Sequence, residues 1–152
     1  FIPIAEEIGL IIPLGAWVIA EAARQVKLWH AAGFGELVVS VNISALQFHQ
    51  AGFLNEVQGI LEQAGTAPSS LELELTESML MSDMEVSIQV LQAFRDFGYR
   101  IAIDDFGTGF SCLKYLRRLP VNILKIDQSF VRDMQTDSAS LAIVASIIRL
   151  AE

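Results

Sequence analysis

Four short apolar runs, each followed by a stretch of helical period, constrain this chain more than any other feature. The runs are residues 37–43 (LVVSVNI), 71–76 (LELELT), 100–105 (RIAIDD) and 121–127 (VNILKID). Their length, their β-branched content and the glycines or prolines beside them predict strands. Between them, Trp17, Val18, Ala22, Val26 and Trp29 recur at helical steps after Pro13 and before Gly33, a spacing that suits core packing. Phe53, Leu54, Val57, Ile60, Leu61 and Ala64 do the same and stop at Gly65. A third helix opens on Ser82 and Glu85, the spacing of a capping box, and runs through Val86, Val90, Leu91 and Phe94 to Gly98. A short helix over 113–118 ends before Pro120, and a last one from about Ser138 sets Leu141, Val144, Ile147, Ile148 and Ala151 on one side.

Strands alternating with helices imply βαβ units and a parallel sheet. Four strands cannot close a barrel, and a (β/α)8 barrel needs about 250 residues, so 152 residues predict a partial TIM-like barrel. The alternative is an open doubly wound sheet, which usually carries a glycine-rich phosphate loop after its first strand; none follows Ile43.

Side chains alternate faces along a strand. One face of each run is apolar: Val39, Val41 and Ile43; Leu71, Leu73 and Leu75; Ile101 and Ile103; Leu124 and Ile126. The other carries Ser40, Asn42 and Ser44; Glu72, Glu74 and Thr76; Ala102 and Asp104; Lys125 and Asp127. Parallel strands covered on both sides are normally apolar on both. A half-covered sheet whose polar face meets water would explain this. The polar residues gather toward the C-terminal strand ends, however, where barrel enzymes build their sites. An oxygen-rich set of acids and Asn suits hard cations such as Mg²⁺ or Mn²⁺.

The segment DDFGTGF, residues 104–110, adds a second signal. Adjacent acids at a strand end can serve two metals, and Gly107 and Gly109 allow a tight, mobile loop. An ordinary strand-to-helix turn with a capping acid is the plainer alternative.

VNIS at 41–44, ELTES at 74–78, DDFGTGFS at 104–111 and LKID at 124–127 resemble, in order and spacing, the signatures of EAL domains. The opening FIPIAEEIGLI with PLGAWV, and RLPVNILKIDQSFVRDM at 118–134, extend the resemblance over essentially the whole chain. It implies a cyclic di-GMP phosphodiesterase, giving linear pGpG with two divalent cations, Mg²⁺ or Mn²⁺. It also implies that Asn42, Glu74 and Asp104 ligate metal, that Asp105 serves the second metal, and that Lys125 positions and helps activate the attacking water. By the same resemblance Glu77 holds the DDFGTG loop in its active shape. Glu72 lies deeper on the strand, as a structural or supporting residue. Phe110 is a candidate for stacking near a guanine or for anchoring its loop.

The glutamate of the family's naming Glu-Ala-Leu motif should precede Phe1, and later strands should follow residue 152. The resemblance thus implies one incomplete EAL domain over residues 1–152, part of a longer protein that carries sensor or GGDEF-type domains and is inactive as this piece alone. It further implies a homodimer through the helix after the DDFGTG loop. The competing expectation is a domain that binds cyclic di-GMP as a receptor, or only protein partners, without hydrolysing the nucleotide; intact motif residues favour the enzyme.

A net charge of −8 argues against a DNA or RNA polymer as partner, which needs a basic footprint. The single cysteine, Cys112, excludes a disulfide framework, and a cytoplasmic setting is expected. The longest uncharged run near the start, residues 8–20, is too short and too broken by Pro13 and Gly15 to span a bilayer. His30 and His49 lack a nucleophile pattern and are expected in structural or surface roles.

Overall fold

Each apolar run becomes a parallel strand because its β-branched residues pack on a pleated surface while the polar residues between them face away. In the computed structural model, which describes residues 1–107 and 118–151, the strands are β1 (Val39–Asn42), β2 (Leu71–Thr76), β3 (Arg100–Phe106) and β4 (Ile123–Ile126). They form one parallel sheet in the order β1-β2-β3-β4. The helices are α1 (Ile2–Glu7), α2 (Ile11–Ala31), α3 (Ala45–Phe48), α4 (Phe53–Ala64), α5 (Glu77–Met81), α6 (Met84–Asp96), α7 (Gln128–Asp133) and α8 (Ser138–Ala151). This is the partial TIM-like layout expected from the sequence.

The apolar strand face meets the helices. Val41, Ile43, Leu71, Leu73, Leu75, Ile101 and Ile103 join Ala23, Val57, Leu61, Leu91 and Phe94 in one buried cluster. Each large aliphatic or aromatic side chain so buried contributes about 1.5–3 kcal/mol. On β2 the other face is buried too, Glu72 and Glu74 included, so that face is not simply open to water.

Helix α2 turns a different stripe inward from the one expected. Ile11, Ile19, Ala23 and Val26 are buried, whereas Trp17 is 63% and Trp29 39% exposed. The two stripes share Val26 and differ by one residue step, about 100° of rotation. The small Ala23 lets the helix approach its neighbours closely, which a tryptophan stripe would prevent. A Cβ on Gly15 would lie 1.9 Å from Gln47 Nε2, so glycine in mid-helix makes room for Gln47. Gln47 forms a reciprocal capping box with Ser44, starting α3 just beyond β1.

The cap of α6 also differs. Asp83 is the N-cap, its Oδ1 accepting the Val86 amide at 3.2 Å. Ser82 instead closes α5, with its hydroxyl on the Met79 carbonyl. In α8, Val144 and Ile147 are buried beside Ser140, whereas Leu141 and Ile148 are half exposed. Four short helices, α1, α3, α5 and α7, were not anticipated.

Candidate functional site

The parity that buries the apolar residues brings the polar ones to one face and one end of the sheet. Asn42 closes β1 and pairs in register with Glu74 on β2; Thr76 pairs with Asp104 on β3. Lys125 comes from β4, and its ammonium forms an ion pair with Glu74 Oε1. Glu74 is buried, so an unpaired charge there would be costly. The Glu74 carboxylate in turn pushes the Lys125 ammonium above its ordinary pKa, with Asp104 and Glu72 adding to the effect and burial opposing it.

One layer deeper, Glu72 is also buried but compensated. Its Oε1 accepts the Ser40 hydroxyl at 2.9 Å, and Arg100 Nε lies 3.5 Å from Oε2. The three residues occupy one row of the sheet register, Ser40–Glu72–Arg100.

After Asp104 the backbone breaks its regular path. Asp105 has φ +53°, the one positive value at a non-glycine among the described residues, within a register shift between Ile103 and Phe106. Such a bulge re-aims a side chain, here at the C-terminal end of an inner strand. The Asp105 amide lies 3.1 Å from Asp104 Oδ1. Desolvation raises the Asp105 carboxyl above the usual range, and Asp104 and Asp127 raise it further.

Asp127 is the N-cap of α7 and accepts the Ser129 amide at 2.8 Å as well as the Ser129 hydroxyl. These bonds hold its carboxyl below the ordinary range, and it shares a hydrogen bond with Asp105. The Asp127–Asp105 contact was missed in the sequence, where the D-x-S spacing of residues 127–129 signals only the cap.

Glu77 stands in the first turn of α5, directly after β2. It is buried, and its Oε2 accepts the Gly107 amide at 3.0 Å. Phe110, Gly109, Cys112 and residues 113–117 of the expected short helix lie outside the described residues. Beside the strand ends, an open cavity of about 650 Å³ has Asn42, Ser44, Gln47, Thr76 and Ser78 in its wall. The two histidines take structural contacts: His30 Nε2 with the Leu37 carbonyl at 2.8 Å, and His49 between the Ala45 carbonyl and the Ser82 hydroxyl.

Asn42, Glu74, Asp104 and Asp105 offer only oxygen donors, the kind that hard divalent cations prefer. Among the described residues, no three His, Cys, Asp or Glu side chains converge closely enough to hold a metal ion. The Lys125 ammonium occupies the Glu74 oxygen, so the donor set fits a cation in kind while a lysine supplies the counter-charge. Among the described residues no helix is long and apolar enough to cross a membrane.

The description of the EAL domain family matches residues 1–152. The bifunctional diguanylate cyclase/cyclic di-GMP phosphodiesterase MucR of Pseudomonas aeruginosa is 45% identical over 150 residues, 99% of this chain and 22% of that protein. The cyclic di-GMP phosphodiesterase PdeR of Escherichia coli is 40% identical over 152 residues, 100% of this chain and 23% of its own length. The chain thus spans under a quarter of these curated relatives. A solved structure of the PaMucR phosphodiesterase in complex with c-di-GMP superposes with a TM-score of 0.94 at 45% identity, covering 99% of this chain and 61% of that one.

Proposed function

The chain belongs to the EAL domain family, and on that premise we propose that its complete domain hydrolyses cyclic di-GMP to linear pGpG. The observation that carries this is the meeting of polar residues from four successive strands at one end of the sheet, with Lys125 paired to Glu74. EAL phosphodiesterases are metal-dependent as a family.

Asn42, Glu74 and Asp104 would hold one divalent cation and Asp105 would serve a second, Mg²⁺ or Mn²⁺ in each case. Bound there, the cations supply Lewis acidity and a lowered pKa for water. Lys125, held by Glu74, orients the attacking water and offsets negative charge on the phosphate. In-line attack at phosphorus then expels the 3′ oxygen. Glu77 acts at a distance: by accepting the Gly107 amide it fixes the strand exit that carries Asp104 and Asp105.

Residues 1–152 would be one incomplete EAL domain, lacking the strand of the naming motif before it and the later strands after it. Sensor or GGDEF-type domains in the parent protein, and a homodimer through the helix after the DDFGTG loop, belong to the same proposal. The cytoplasm is the expected compartment.

The test is chromatographic detection of pGpG from cyclic di-GMP incubated with the complete parent domain, with and without Mg²⁺ or Mn²⁺. Metal-dependent pGpG is expected. Tight binding of the dinucleotide without product would replace this assignment with a receptor.

A further inference from the structure

Glu74 and Lys125 meet although their strands are not neighbours. β3 runs between β2 and β4, so the two backbones stand about 10 Å apart, twice the strand spacing. The pair therefore forms only by passing over β3 on the polar face. On that face β3 presents Ala102 and Asp104, because Ile101 and Ile103 point into the hydrophobic cluster. Ala102 pairs in register with Glu74 on one side and with Ile123 on the other. It is fully buried, yet it lies outside the apolar cluster that buries its two neighbours.

We propose that Ala102 is a positioning residue for Lys125: its single methyl leaves open the passage across β3 through which the lysine reaches Glu74. A branched side chain here would stand between ammonium and carboxylate. It would displace Lys125 and leave the buried Glu74 charge without its partner. The inference rests on the proposed roles of Lys125 and Glu74 for its catalytic consequence, but its structural half does not need them.

In the complete parent domain, Ala102→Val is expected to lower kcat for cyclic di-GMP about 100-fold, as a misplaced catalytic group does, with KM little changed. Ile103→Val disturbs the apolar side of the same strand and should lower Tm without moving kcat. Thermal melts give a readout independent of turnover. Ala102→Val should cost more Tm in the natural background than in Lys125→Met, where no ammonium remains to be displaced. Ala102→Ser, only one heavy atom larger, keeps the comparison readable should the valine variant not fold. Equal Tm losses in the two backgrounds, or an undiminished kcat in folded Ala102→Val, would overturn the inference. If the natural domain yields no pGpG, the proposed activity fails, and the Tm comparison alone decides the role of Ala102.

Discussion

Glu77 and Gly107 are thirty residues apart in the chain, yet the glutamate Oε2 accepts the glycine amide at 3.0 Å from a buried position. Gly107 adopts φ +103°, and a Cβ there would lie 3.1 Å from Phe130 Cε2, so the strand exit is held on two sides. Removing the acceptor strands a backbone N–H, at a cost of about 1–3 kcal/mol. Glu77→Ala should therefore lower stability to urea by that amount and reduce turnover in the complete domain. Glu77→Gln keeps an acceptor oxygen and should fall between. Natural stability and kcat in the alanine variant would remove Glu77 from any loop-holding role.

The Lys125–Glu74 pair has a buried carboxylate and a lysine that is about one-third exposed. Breaking such a pair from the lysine side leaves a negative charge uncompensated, costing about 1–3 kcal/mol where water still has partial access. Lys125→Met is expected to lower Tm, to abolish pGpG formation, and to regain part of the stability when Glu74→Gln is added. A double variant no more stable than Lys125→Met alone would show that the carboxylate finds its compensation elsewhere.

Strand parity made the sheet legible in the sequence, since alternation with period two survives wherever one face is packed. The same parity put Asn42, Glu74, Asp104 and Lys125 on one face and toward one end; the sheet register aligns the first three, and Lys125 reaches them through its ion pair with Glu74. Phases within helices were less legible. In α2 two adjacent stripes were both apolar, and only the need for close approach at Ala23 and Gly15 selects between them. The bulge at Asp105 left no mark either, because an aspartate adopts a left-handed conformation without any change in composition. The lateral contacts Ser40–Glu72–Arg100 and Asp105–Asp127 join residues from different strands and strand ends, so local spacing cannot announce them.

The start of α6 shows how two neighbouring caps compete. Ser82 satisfies the sequence pattern of a capping box, but its hydroxyl is committed to Met79 and His49, and Asp83 takes the Val86 amide. Asp83→Ala should cost about 0.5–2 kcal/mol, the usual worth of an N-cap. Ser82→Ala should leave the helix start intact and loosen the link to His49. Urea titrations of the two variants separate the roles; a larger loss from Ser82→Ala would restore serine as the cap.

Tyr99 follows α6 and lies almost wholly buried against Phe94, ring centroids 5.3 Å apart, with its hydroxyl unpartnered among the described residues. Burial pushes its phenol up to about 12, with the charge of Glu62 assisting. A folded pKa raised above the unfolded value of about 10 means that the fold favours the neutral phenol. Its contribution is thus fully present below pH 10 and is lost as pH rises toward 12, by about 2–3 kcal/mol over that window. Tyr99→Phe deletes both the ionisation and the unsatisfied hydroxyl. At pH 7 the variant should be as stable as the natural chain or up to about 1–3 kcal/mol more so. Between pH 10 and 12 its advantage should widen by the amount the tyrosine loses. Melts of both proteins across that range measure the difference directly, because the two chains differ only at this side chain. A constant difference from pH 7 to pH 12 would mean that the phenol ionises as freely in the fold as in the unfolded chain.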